Sequence, residues 1–166
     1  MAGYGDDAGF AAWLSGAGYV LPGTAPAPAV LRQRGSDYLD ATYGPRLKCS
    51  APAGGIDQER AWPRTGHAIN GQAVASDAIP SAWVRASYRA AWLEASAPGR
   101  LSSVINPTQR VKRQKADVVE REFFDGGAVT AGSGSGAVID SEIDGLVSGL
   151  LCQAPIGGLG LWAIGC

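Results

Sequence analysis

The chain is poor in the residues from which catalytic and metal sites are built. Its 166 residues include one histidine, His67, in a glycine-flanked loop with no serine or cysteine elbow beside it, so a hydrolase triad lacks its base in context. The three cysteines, Cys49, Cys152 and Cys166, are odd in number, widely spaced and never in a C-x-x-C pair. A structural zinc site would need more ligands at closer spacing. Thiols placed this way read as lone, inert small hydrophobes in a reducing cytoplasm. The glycine-rich run at 125–137 has no Gly-Lys-Ser/Thr ending, and no dinucleotide fingerprint follows a strand. Asp6 and Asp7 are adjacent, which suits a helix cap better than a catalytic dyad. The expectation is a protein that is not an enzyme, with no catalytic residue, metal or cofactor.

An excess of positive charge is also missing. Lys and Arg number 14 against 15 Asp and Glu, for a net charge of -1 and a pI near 5.8. Affinity for phosphates comes mostly from cations, so coating DNA is an unsuitable main task and any DNA contact must be local. The longest apolar stretch, 156–166, is far below the roughly 20 residues of a membrane helix. Residues 1–20 lack a basic region followed by an apolar run, so no secretory signal and no membrane partner are expected.

What is present is helical periodicity broken by Gly and Pro. The length suits one self-sufficient core. Phe10, Trp13, Leu14 and Ala17 recur at helical spacing behind Asp6 or Asp7, with Gly18 placed to end the helix. A Pro/Gly/Ala linker leads to Pro28, which opens a second helix carrying Leu31, Tyr38, Leu39 and Thr42 on one face. Gly44-Pro45 stops it, and Gly35 on its packed side permits a close helix crossing. Ile79-Pro80 opens the strongest helix, with Trp83, Ala86, Ala90 and Leu93 on one stripe and Val84, Tyr88, Ala91 and Ala95 beside it, up to Pro98-Gly99. So wide a stripe implies burial on two sides, either as the central helix of a bundle or partly by another subunit. Trp92 falls at its outer edge and is a candidate contact across subunits. Ser141 and Asp144 resemble a capping box, and Ile139, Ile143, Leu146, Val147, Leu150 and Leu151 give an amphipathic helix. The resulting division is a helical domain over 1–124, a flexible linker over 125–137, and a C-terminal helix with an apolar tail over 138–166.

Two stretches between these helices stand out. Residues 46–70 read as loop, longer than compact domains usually leave unstructured, with a helical turn expected at 73–77. Within the loop, Asp57 to Gly66 concentrates Asp57, Glu59, Arg60, Trp62, Pro63 and Arg64. Trp62 brings a large apolar face, Pro63 restricts the backbone, and the arginine forks suit carboxylates, phosphates or carbonyls. In the plainer reading the tryptophan plugs the core and the arginines are solvated or pair with Asp57 and Glu59. The second stretch holds Arg110, Lys112, Arg113 and Lys115, followed by Val118 to Phe124. A hairpin over 110–124 with a turn at 116–117 would put Arg113 opposite Glu120, although the same apolar residues nearly fit a helix. This basic run is the best candidate for touching DNA, with a solvated, acid-paired face as the alternative.

The order of these pieces resembles a known family. Arg34, Tyr38, Leu39, Asp40 and Tyr43 on a helix, then Glu59-Arg-Ala-Trp-Pro-Arg64, then Ile79-Pro80 opening an alanine-rich helix, are similar to the tailed-bacteriophage head-tail connector family. These are adaptor, or head-completion, proteins, and relatives are often labelled DnaT-like single-stranded-DNA-binding proteins. The resemblance spans roughly residues 5–124. It implies a mainly α fold, a small helical bundle with long ordered loops and an extended C-terminal arm, to which the stretch 110–124 would add a β-hairpin. It also implies a subunit of a closed, dodecameric ring beneath the portal that joins the DNA-filled head to the tail. The implied partners are its own copies, the portal, the next neck or tail-completion protein, and packaged duplex DNA in the lumen. The implied location is the virion neck after synthesis in the bacterial cytoplasm. Glu59, Arg60, Trp62, Pro63 and Arg64 then become packing and interface residues, and Arg110, Lys112, Arg113 and Lys115 face the lumen. By position at the chain end, Leu150, Leu151, Ile156, Leu159, Leu161, Trp162 and Ile164 become a portal-docking tail, with folding of the tail back onto the chain's own core as the alternative. The competing reading is a single-stranded-DNA-binding replication helper.

Overall fold

Four α-helices and three two-stranded antiparallel ribbons form the described part of the chain, so the fold is mainly α. The structure is a computed structural model that describes residues 2–102, 113–116, 119–122 and 140–152. Helix α1 spans Asp7–Ala17, and Asp6 caps it by accepting from the Gly9 N–H at 2.6 Å. Helix α2 (Pro28–Tyr43) starts on its proline and runs into a 3-10 turn at Gly44–Arg46. Helix α3 (Ser81–Ser96) follows Pro80 and stops before Pro98. These bounds follow the sequence signals closely.

Helix α4 (Ser141–Ser148) begins differently from the expected capping box. Asp140, in extended conformation, takes the cap and accepts from the N–H groups of Glu142 and Ile143 at 3.0 and 3.1 Å. Its carboxylate stands one residue ahead of Ser141, at the position from which an oxygen reaches those donors.

Helix α3 is the axis of the core. Its Trp83, Ala86, Ala90 and Leu93 pack with Tyr38, Leu39, Tyr43, Leu47, Trp62 and the α4 residues Ile143 and Val147. Its Tyr88, Ala91 and Ala95 pack in a second cluster with Phe10, Leu14 and Leu31. Both sides of the wide stripe are thus buried within one chain. Leu150 and Leu151 belong to the first cluster. The α2–α3 crossing is close because of Gly35, where a Cβ would lie 2.7 Å from the backbone nitrogen of Ala91.

The loop over 46–70 is more ordered than its composition suggests. Strand β1 (Ala51–Pro52) pairs with β2 (Arg64–Thr65), and β3 (Ala68–Ile69) pairs with β4 (Gln72–Ala73). The second ribbon is closed by Asn70-Gly71, both at positive φ (50 and 80), the pair best suited to a two-residue hairpin. Ala73 therefore lies in a strand, and the expected helical turn at 73–77 shrinks to a single turn bond from Ala78 N–H to Ala75 O.

A hairpin does form in the basic region, from β5 (Arg113–Ala116) and β6 (Val119–Glu122), but its register differs. Ala116 pairs with Val119, so the connection is 117–118, and Arg113 pairs with Glu122 and Lys115 with Glu120. Moving the turn by one residue shifts each partner by two and sets two opposite-charge pairs in register, an arrangement that favours the ladder.

The reading of Cys49 and Cys152 as lone thiols is overturned, because the two form a disulfide across 103 residues of sequence. Pairing of cysteines depends on where elements pack, and α4 returns the chain to the turn at 47–50, with the Cys152 N–H donating to Arg46 O at 3.1 Å. The linker at 125–137 lies outside the described residues.

The crossing geometry is testable by paired glycine substitutions read by urea unfolding. Gly35→Ala is expected to destabilise by about 1–3 kcal/mol through overpacking. Gly16→Ala, where nothing lies within 4 Å, is expected to stabilise by up to about 1 kcal/mol.

Candidate functional site

The loop carrying Arg60 to Arg64 is anchored by its own side chains. Trp62 is 1% exposed, joined to Pro63 by a cis peptide bond, and its backbone N–H donates to the Tyr4 hydroxyl at 3.2 Å. Its ring lies edge-on to His67 at 4.8 Å and to Trp83 at 6.2 Å. Arg60 reaches Asp37 at 2.6 Å and Asp40 at 3.2 Å and lies over the Tyr4 ring. Asp57 and Glu59 are exposed and take no part, so the local pairing suggested by proximity in sequence is replaced by a long-range one. Asp37 and Asp40 sit three apart on α2 and share a face of it, a spacing that presents both carboxylates to one guanidinium.

Arg64 is a carbonyl clamp. It donates from Nε to Ser50 Oγ at 2.7 Å, from Nη1 to Ala61 O at 3.0 Å, and from Nη2 to Leu47 O at 2.9 Å and to Ser50 O. Ser50 Oγ also meets His67 Nδ1 at 2.9 Å. The buried fork thus ties the 47–50 turn to the Trp-Pro step, as a planar group with five donors can. Trp62 and Arg64 are packing residues of this chain, Arg60 and Pro63 are half-buried, and Glu59 is exposed.

Burial shapes the titration of the cluster. It raises Tyr4, with the Asp40 charge adding to it. It also raises Asp40, opposed by hydrogen bonds from Tyr4 and Arg60. His67 is held below its usual value by burial, against an opposing hydrogen bond with the Leu150 backbone.

Trp92 is half-buried against its own chain. It stacks on Tyr19 at 4.2 Å, and Arg89 lies over both rings, at 5.0 Å from Trp92 and 5.4 Å from Tyr19. Arg89 also pairs with Asp140 at 3.4 Å and Glu142 at 3.1 Å, holding the start of α4. Sequence reading missed Arg89 as a clamp, and its neighbours on α3 gave no sign of distant acids.

The basic run is only partly within the described residues. Arg113 and Lys115 lie on β5, paired in register with Glu122 and Glu120, whereas Arg110 and Lys112 lie outside. Of the apolar tail, Leu150 and Leu151 are buried in the core, and Ile156, Leu159, Leu161, Trp162 and Ile164 lie outside the described residues.

Elsewhere among the described residues the cations are mostly engaged. Arg32 donates to the carbonyls of Gly3, Tyr4 and Gly5 and pairs with Asp7, and Arg34 pairs with the buried Glu94. Lys48, Arg85 and Arg100 are exposed and lie on three separate segments. No Trp, Tyr or Phe among the described residues is exposed. Among them, too, no group of three His, Cys, Asp or Glu could hold a metal, and no helix is long and apolar enough to cross a membrane.

A family described as "Putative DnaT-like ssDNA binding protein" matches the chain over residues 3–161. The chain belongs to this family. No curated protein and no solved structure gives a match. The family match takes in all four helices, the Trp-Pro loop and the basic hairpin. Its description speaks of single-stranded DNA and not of a head-tail connector, so the connector resemblance gains nothing from it.

Two predictions concern the anchor. Arg64→Lys, which keeps the charge and loses the fork, is expected to cost about 3 kcal/mol in urea unfolding. For His67, the folded value lies below the unfolded one, so the unfolded chain binds the extra proton. Stability is expected to be full above about pH 6.5 and to fall as pH drops from there towards the lowered folded value. In His67→Gln, thermal unfolding followed across that window should lose this part of the pH dependence.

Proposed function

We propose that the protein is a non-enzymatic DNA-contacting protein, in which the helical body acts as a scaffold and the basic stretch with Arg110, Lys112, Arg113 and Lys115 meets the phosphates. The setting we favour is binding of single-stranded DNA. The observation that carries it is the family match over residues 3–161, whose description names that ligand. The concentration of four cations in six residues of an otherwise balanced chain supplies the matching chemistry. Such binding would be sequence-tolerant and strongly salt-dependent, since it rests on backbone charge.

A second reading is the phage neck subunit: a ring component beneath the portal, bound to its own copies and to the next neck or tail protein, with the basic stretch towards DNA in the lumen. Besides the connector resemblance, one observation favours it. The described aromatics are all buried or half-buried and most described arginines are spent on internal acids and carbonyls, so among the described residues no exposed ring stands as a stacking platform for a single strand. In this setting the virion neck is the site of action and the apolar residues after Leu151 are the docking arm.

An anisotropy titration with a labelled oligonucleotide tests the first reading. The wild-type affinity should fall steeply with salt, and replacing Arg110, Lys112, Arg113 and Lys115 by alanine should flatten the log-log slope by about 3, at roughly 0.7 for each phosphate no longer neutralised. An unchanged slope sinks it. Deleting residues 154–166 discriminates the second, for which pull-down of the deletion variant with a portal ring should fail while oligonucleotide binding persists.

A further inference from the structure

We propose that Cys49 is a thiol-exchange site, and that the Cys49–Cys152 bond is a reversible clasp holding the end of α4 to the body. Cys49 lies in an exposed turn and Cys152 is half-buried. Cys49 is thus the more exposed residue of the pair, and on this proposal its sulfur is the one an external low-molecular-weight thiolate attacks. The backbone N–H of Cys49 donates to Cys152 Sγ at 2.8 Å, which favours negative charge on Cys152 as the sulfur that leaves. His67 Nδ1 stands 3.9 Å from Cys49 Sγ and is held by Ser50, so a fixed ring nitrogen adjoins the sulfur that reacts.

The exchange balances in two steps. The thiolate attacks Cys49 Sγ, a bond forms between the two sulfurs, and the Cys49–Cys152 bond breaks with its electron pair going to Cys152, which takes a proton from solvent. A second thiolate then attacks the external sulfur of the mixed disulfide, releasing Cys49 as thiolate and leaving the two small thiols joined. The protein pair gains two electrons and two small thiols are oxidised to one disulfide.

The consequence lies in α4. Its eight residues are too few for a stable isolated helix, so docking depends on its attachments. Its start is held by Arg89 through Asp140 and Glu142, and its middle by Ile143 and Val147. Beyond it, the chain is fixed by Leu150, Leu151, the Cys152 N–H bond to Arg46 O and the disulfide. The disulfide is the covalent member of that set, and opening it leaves a short helix with weaker hold on α3 and the first core cluster.

The test uses the full chain carrying Cys166→Ser, so that one cysteine pair remains. Reduced glutathione is added in limited amount, free thiols are trapped with iodoacetamide, and peptides are mapped by mass. In parallel, amide hydrogen exchange is followed with and without dithiothreitol. We expect no free thiol before reduction, glutathione on Cys49, the alkyl group on Cys152, and exchange about tenfold faster in α4 with α2 and α3 unchanged. Free thiols at the outset, glutathione on Cys152, unchanged exchange in α4, or an equal rise in α2 and α3 would each overturn it.

Discussion

The structure depends on α3 being buried from two sides at once. Trp83 and Ala90 close one cluster and Tyr88 and Ala91 the other, so each remaining helix is positioned by which side of α3 it covers. Gly35 lets α2 approach the backbone of Ser87 and Ala91, and Trp83 and Trp62 pack edge-on within the first cluster. Close packing of this kind makes each contact depend on its neighbours' shapes. It also explains why the chain needs both an N-terminal helix and a returning C-terminal one to cover a single central element.

The second organising feature is the use of arginine. Arg32 gathers the carbonyls of residues 3–5, Arg64 those of the 47–61 loop, Arg60 the acids of α2, and Arg89 the start of α4. Arg32 and Arg60 each tie an irregular segment to a helix, Arg64 ties two parts of the loop together, and Arg89 ties α3 to the start of α4. The carbonyls that Arg32 and Arg64 take up would otherwise be costly to bury unpaired. The loop with the Trp-Pro step is therefore ordered without extensive secondary structure. A body that spends its cations in this way has few left for a polyanion, which concentrates any such role on the basic stretch before and within the hairpin.

Much of the helical architecture was legible in the sequence because its signals are local. Asp6, Pro28, Pro80 and Gly18 act within a turn of themselves, and the width of the α3 stripe forecast two-sided burial. Gly35 was legible for the same reason, as a missing side chain on a packed face. Asn70-Gly71 was a readable hairpin signal, lost because a single loop over 46–70 ends at Asn70 and splits the pair. The partners of Arg60 and Arg89 and the pairing of Cys49 with Cys152 were not legible, since they join residues brought together only by helix packing. The β5–β6 turn was misplaced by one residue, because neither Ala116-Asp117 nor Asp117-Val118 contains the glycine that fixes a two-residue corner.

Hydrogen exchange of the full chain with and without a single-stranded oligonucleotide tests the central claim, that the body is spent on itself and DNA contact belongs to the basic stretch. The account predicts protection confined to peptides covering 103–122, with α1, α2 and α3 unchanged. Protection centred on Tyr19, Arg89 and Trp92, or no protection at any peptide at low salt, would contradict it.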